Sequence, residues 1–326
     1  MDKQIAARVG RAISEKVFPG CVIGIVLENG QREILPFGTT IYGSAGEHVI
    51  NDTMYDVASV TKSVPTASLT SLLLEENKLS PADKVRTHLP ELQNDYDATI
   101  EDLLRYRVHG AQLSRLRLQT LEEIRAFVFE HGFDGPPGEP TYTNLPAYLL
   151  GLIVERVSGQ SLDIIAKERY FRPLSMEHTT FFPTADDCAP TEIDEHGKEI
   201  RGIVHDESAR IFAKAGRTVG HAGLFSTVPD LLHFLEALLA GDFPYIVGGA
   251  KKGLGWQLND TNFMGQYPRL RTFGKTGFTG TSVICDIERG IAFVILSNRT
   301  YPKRPLTDDA IFAFRLDIAD IIFENA

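Results

Sequence analysis

Strand chemistry sits at both ends of this chain and is sparse between them. Cys21 to Leu27 is rich in β-branched residues and runs into Asn29-Gly30, a type I′ hairpin signal. Glu33 to Tyr42 reads as the returning strand, with Pro36 and Gly38 marking an edge or a bulge. Near the other end, Arg269 to Phe273, Ser282 to Ile287 and Ile291 to Leu296 read as a meander that turns at Glu288-Arg289-Gly290. A helix over Asp2 to Lys16 (Ile5, Val9, Ile13, Val17), stopped by Pro19-Gly20, precedes the first pair, and an amphipathic helix from about Asp308 to Phe323 follows the last. The middle has helical signals instead. Ser59 to Glu76 is one, with Pro65 forced into its first turns or kinking it. Others are Leu145 to Val157 closing near Gly159, a helix from a Ser161 cap to Pro173, and Leu231 to Leu239 opened by Thr227 with Asp230 and ended by Gly241. An α/β (α+β) fold satisfies this order best: an antiparallel sheet built from both chain ends, flanked by helices, with a mostly helical insertion. The expected lobes are 1–65 with 215–326 for the sheet and 66–214 for the helices, meeting at a tight interface.

Composition narrows the function. A chain of 326 residues with 43% hydrophobic and 23% charged residues can bury a large core, which excludes disorder. Its apolar runs, such as Ile291 to Leu296, are far shorter than the ~20 residues of a membrane span. A formal charge of −10 repels phosphate backbones, so nucleic acid is not an expected partner. Cys21, Cys188 and Cys285 are distant and odd in number, which suits buried hydrophobes in a reducing compartment better than a disulfide framework or a zinc site. Met1 to Arg8 scatters charges where a signal peptide needs an apolar stretch, so the expected location is cytoplasmic.

Three short motifs carry chemistry. In Ser59-Val60-Thr61-Lys62 the hydroxyl and the amine lie one helical turn apart, and a buried amine can activate the serine. Tyr142-Thr143-Asn144, between the turn Gly135-Pro136-Pro137-Gly138 and a helix, offers a phenol for proton transfer beside an amide that can grip a carbonyl. Lys275-Thr276-Gly277, at a strand end, offers an ammonium and a hydroxyl to a carboxylate, and the next N–H, on Phe278, can donate into an oxyanion hole. Each alone also fits an ordinary role: a helix surface, a helix start capped by Asn144, an edge-strand lysine. Chance supplies them about 0.55, 0.28 and 0.08 times, and all three together on the order of 0.01.

The set resembles the penicillin-recognising serine enzymes, and its Tyr–x–Asn form resembles class C β-lactamases, the related D-alanyl-D-alanine peptidases and family VIII carboxylesterases. Asp52 to Lys62, Gly138 to Gly151, Val204 to Glu207, Gly220 to Thr227, Phe273 to Thr281 and Leu296 to Arg299 are similar to segments of that family, so the resemblance spans most of the chain. It departs after Ile100-Glu101-Asp102-Leu103-Leu104, where Arg105-Tyr106-Arg107-Val108-His109-Gly110 replaces a Thr/Ser-rich turn at the pocket mouth.

The resemblance implies the β-lactamase/transpeptidase-like fold and a serine acyl hydrolase without metal or cofactor. Ser59 attacks a carbonyl, Lys62 and Tyr142 manage the proton, and the N–H groups of Ser59 and Phe278 form the oxyanion hole. Asn144 orients the acyl side, while Lys275, Thr276 and Gly277 receive a carboxylate or ester group. An esterase is the favoured activity, since peptidoglycan and β-lactams are met outside the cytoplasm. A class C-type β-lactamase or D-alanyl-D-alanine carboxypeptidase is the alternative, and a non-catalytic ligand-binding or sensing module a more remote one. Competing constellations are poorer: there is no Gly-x-Ser-x-Gly elbow, no His-x-x-x-His pair and no phosphate loop. His205 and His221 are expected to serve structural turns, and Trp256 lobe packing.

Overall fold

The structure is a computed structural model that describes residues 1–266 and 271–326. Helix α1 (Asp2–Ser14) leads into β1 (Gly20–Val26) and β2 (Arg32–Gly38). The other strands of the main sheet lie near the end of the chain: β3 (Gln257–Leu258), β4 (Thr272–Thr276), β5 (Ser282–Asp286) and β6 (Ile291–Ser297). They form one antiparallel six-stranded sheet in the order β2-β1-β6-β5-β4-β3. The sheet is therefore assembled from both chain ends, and β2, with Pro36, is an edge strand, where a missing N–H is tolerated. Arg269 and Leu270, the start of one expected strand, lie outside the described residues.

Both faces of the sheet are covered, which explains the nearly unbroken apolar runs of β1 and β6. Cys21, Ile23, Ile25, Phe293 and Ile295 pack with α1 and the last helix, Asp309–Asn325, in one core. Val22, Val26, Val294 and Leu296 point the other way, into a larger core shared with the helices of the middle segment. Val228–Ala240 crosses this face so closely that a Cβ on Gly24 would overlap Val228 and Leu232. Thr227 accepts from the Asp230 N–H, but the Asp230 carboxylate turns instead to the His178 N–H and the Thr179 hydroxyl, so only half of a capping box forms. All three cysteines are buried and unbridged. Among the described residues, no single helix is long and apolar enough to cross a membrane.

Two local expectations need correction. The β1–β2 turn is not type I′: only Gly30 has positive φ (76°), and its N–H bonds the Leu27 carbonyl, which fits a turn ending in a glycine bulge. Nor is Ser59 to Glu76 one helix. A 3₁₀ turn over Ala58–Lys62 is followed by a π-type turn over Ser63–Ala67 and then by α2 (Ser68–Glu75). Val64 leaves helical geometry (φ −116°, ψ 104°) because Pro65 disfavours the α region in the residue before it.

Candidate active site

The 3₁₀ turn points Ser59 and Lys62 the same way. Lys62 Nζ lies 2.8 Å from Ser59 Oγ and donates to the His221 carbonyl at 2.7 Å. Ser59 is half-buried, whereas Lys62 is only 1% exposed. Burial draws the Lys62 pKa from 10.5 down to about 7, against the opposing charge of Asp206. An amine so placed is neutral often enough near neutral pH to accept a proton.

The backbone before Ser59 is tightly held. Ala58 has φ 48°, a left-handed conformation that costs a residue with a Cβ roughly 1–2 kcal/mol. Its N–H donates to Asp56 Oδ1, and Asp56 Oδ2 accepts the His205 N–H. Thr61 Oγ1 donates to the Ala58 carbonyl and accepts from the Leu224 N–H. From the sheet side, Thr279 and Thr281 hydroxyls donate to the Asp56 and Val57 carbonyls. The serine is thus fixed to the turn that joins β4 and β5 as well as to its own turn.

Lys275 projects from β4 and is 1% exposed, its pKa drawn by burial to about 8. Two aromatic faces flank it, with its Nζ 4.6 Å from the Tyr142 ring centroid and 5.0 Å from that of Tyr106. Lys62 Nζ is 5.3 Å from the same Tyr142 ring, so one phenol spans both amines. Tyr142 itself is 54% exposed. At Gly277 a Cβ would overlap Thr281 Oγ1 and the Val57 carbonyl, so only glycine lets this strand end approach the Ser59 turn. Among the described residues, the N–H groups of Ser59 and Phe278 have no acceptor within the protein. Arg315, on the last helix and 2% exposed, donates to the Gly277 and Thr281 carbonyls at 2.9 and 2.7 Å, and Arg299 donates to the Phe278 carbonyl at 2.7 Å.

A cleft of about 780 Å³ joins these groups; Ser59, Tyr142, Lys275, Thr276, Gly277 and Phe278 line it. Trp256 also reaches it while packing edge-on against Phe273 at 5.3 Å. Tyr106, in the segment where the sequence departs from its relatives' pattern, forms part of the wall with φ 56° and a ring 5.5 Å from that of Tyr142.

Asn144 begins the helix Leu145–Ser158, yet its side chain makes no cap and donates to Asp206 Oδ2 at 3.1 Å. Asp206 caps the helix Glu207–Lys214 through the Ala209 N–H and also accepts from Ser208 Oγ at 2.6 Å. His221 Nε2 sits 2.9 Å from Ser208 Oγ and 3.4 Å from Asp206 Oδ1. His221 therefore does more than shape a turn, because its carbonyl also holds Lys62. His205 has a buried ring stacked 5.9 Å from Phe278.

The family model "Beta-lactamase" matches residues 9–317 of this chain. The chain belongs to the beta-lactamase family. A relative from Escherichia coli strain K12, "Putative D-alanyl-D-alanine carboxypeptidase", is 31% identical over 314 positions that cover 78% of this chain and 71% of that one. A beta-lactamase/D-alanine carboxypeptidase from Pseudomonas syringae has a similar fold, with a TM-score of 0.76 at 18% identity over 96% of this chain and 97% of that one. So does EstCE1, a hydrolase with promiscuous acyltransferase activity, with a TM-score of 0.75 at 21% identity over 99% and 98%. The fold is that of the beta-lactamase-like enzymes, and the protein is a serine hydrolase of this family.

Proposed function

We propose that the protein hydrolyses small carbonyl substrates, esters foremost, through an acyl-enzyme on Ser59. The observation that carries this reading is the 2.8 Å pair of Ser59 Oγ with a buried amine whose pKa is drawn to about 7. Ser59 Oγ attacks the carbonyl carbon and its proton passes to Lys62. The oxyanion then lies against the N–H groups of Ser59 and Phe278, which the protein leaves free for it. Tyr142, beside both amines, shares in proton transfer to the leaving group. Asn144, steadied by Asp206, orients the acyl side. Attack by water at the acyl carbon releases the acid and returns the proton to Ser59. In this reading the cleft separates a lobe of residues 1–65 and 215–326 from a lobe of residues 66–214.

One feature favours a second reading for the substrate. Lys275 is a buried ammonium flanked by two aromatic faces, with no carboxylate in contact among the described residues. Buried charges are normally paired, and a substrate carboxylate would complete this one, with Thr276 as its neighbour. That suits carboxylate-bearing amides such as D-alanyl peptides and β-lactams. Steady-state turnover of a p-nitrophenyl ester, nitrocefin and a D-alanyl depsipeptide separates the readings. Preferred turnover of the neutral ester supports the first, preferred turnover of the acidic substrates supports the second, and turnover of none overturns both.

A further inference from the structure

Lys62 is a buried amine whose two hydrogen-bond partners, Ser59 Oγ and the His221 carbonyl, are both uncharged. The carboxylate that acts on it, Asp206, is held on the far side of the same histidine. Asp206 is surrounded by donors: the Ala209 N–H at 2.9 Å, Ser208 Oγ at 2.6 Å, Asn144 Nδ2 at 3.1 Å and His221 Nε2 at 3.4 Å. Burial pushes its pKa up, but the bonds from His221, Ser208 and Ala209 outweigh this and hold it well below the usual carboxylate range. His221 is fully buried, and burial lowers its pKa while Asp206 beside it works the other way. One residue thus offers its carbonyl to the cation and its ring to the anion.

We propose that Asp206 is a positioning residue for the Ser59–Lys62 pair: its fixed negative charge is the counter-ion of Lys62 across His221, and its second oxygen holds the Asn144 side chain. The proposal rests on Lys62 being the base. The groups facing Lys62 are Tyr142 from the loop before the Leu145–Ser158 helix, Lys275 from β4, His221 and Asp206. Burial lowers the Lys62 pKa most, the like charge of Lys275 disfavours its ammonium, and Asp206 favours it. Withdrawing the Asp206 charge makes the ammonium less favourable, and neutral Lys62 then persists to lower pH.

The test is the pH dependence of kcat/KM on a neutral p-nitrophenyl ester. In Asp206→Asn the ascending limb should move to lower pH by roughly one unit, whatever the change in maximal rate. Asn144→Ala, which keeps the charge and removes only the bond from Asn144, should lower the rate and leave the limb in place. An Asp206→Asn variant that loses rate with an unmoved limb has lost only structure, and overturns the proposal. Should that variant fail to fold, Asp206→Glu carries the test: its limb must coincide with that of the wild type, and a displaced limb overturns the proposal. Failure of the underlying reading looks different, because Lys62→Ala would then retain the wild-type rate and limb.

Discussion

The ammonium of Lys275 stands 5.0 Å from the centre of the Tyr106 ring. The tyrosine comes from the segment after the helix Ile100–Leu104, and the lysine from β4. The Tyr142 ring lies beside the same amine, 5.5 Å from that of Tyr106, so Lys275 is stabilised by two ring faces, and among the described residues no carboxylate contacts it. A contact of this kind contributes only when the anion is present. Lys275→Met should therefore slow hydrolysis of nitrocefin or a D-alanyl depsipeptide by about one to two decades in kcat/KM, from ~1.5–3 kcal/mol, and a neutral ester far less. Equal losses on both substrates would assign Lys275 to the shared chemistry and remove its carboxylate role.

The two lysines also predict different pH profiles. Lys62 must be neutral to accept a proton, so kcat/KM should rise with pH through about 7 for every substrate. Lys275 must be charged to hold an anion, so kcat/KM for carboxylate-bearing substrates alone should fall again as pH passes about 8. A descending limb of equal size with a neutral ester would contradict this assignment.

Lys62 and Tyr142 should behave as one unit. If they share a proton, the variant Lys62→Ala/Tyr142→Phe is scarcely slower than the worse of the two single variants. Fully multiplicative losses in kcat/KM would show that they act independently.

Arg315 grips the carbonyl of Gly277, which belongs to the same peptide unit as the Phe278 N–H. A buried guanidinium on the oxygen strengthens that N–H as a donor and fixes its direction. Arg315→Met should lower kcat by about one to two decades, in line with weakening one oxyanion donor, with a smaller change in KM. A variant that raises KM alone would show that Arg315 serves binding rather than the oxyanion.

The sequence made the frame and the three motifs legible because each is local. A β-branched run, a serine one helical turn before a lysine, and a Lys-Thr-Gly at a strand end can be read within a few residues. The Asp206 network cannot, since it joins Asn144, 62 positions away, and His221, 15 positions away, through side chains of no fixed spacing. His221 read as a turn residue, and only tertiary packing brings its ring to Asp206 and its carbonyl to Lys62. Tyr106 was visible as a departure, but its place against Lys275 depends on a left-handed backbone that its type does not signal. The break at Val64 was half visible: Pro65 announced a disruption, while its form, a 3₁₀ turn ending at Lys62, emerged only in the fold.

The central claim is that Ser59 becomes acylated, and intact-mass spectrometry tests it most directly. After incubation with a fluorophosphonate or a penicillin, the wild-type protein should gain one adduct mass that proteolytic mapping places on Ser59. Ser59→Ala, with an unchanged circular dichroism spectrum, should gain none. An adduct that persists in the alanine variant, or one mapped elsewhere in the wild type, would contradict the account.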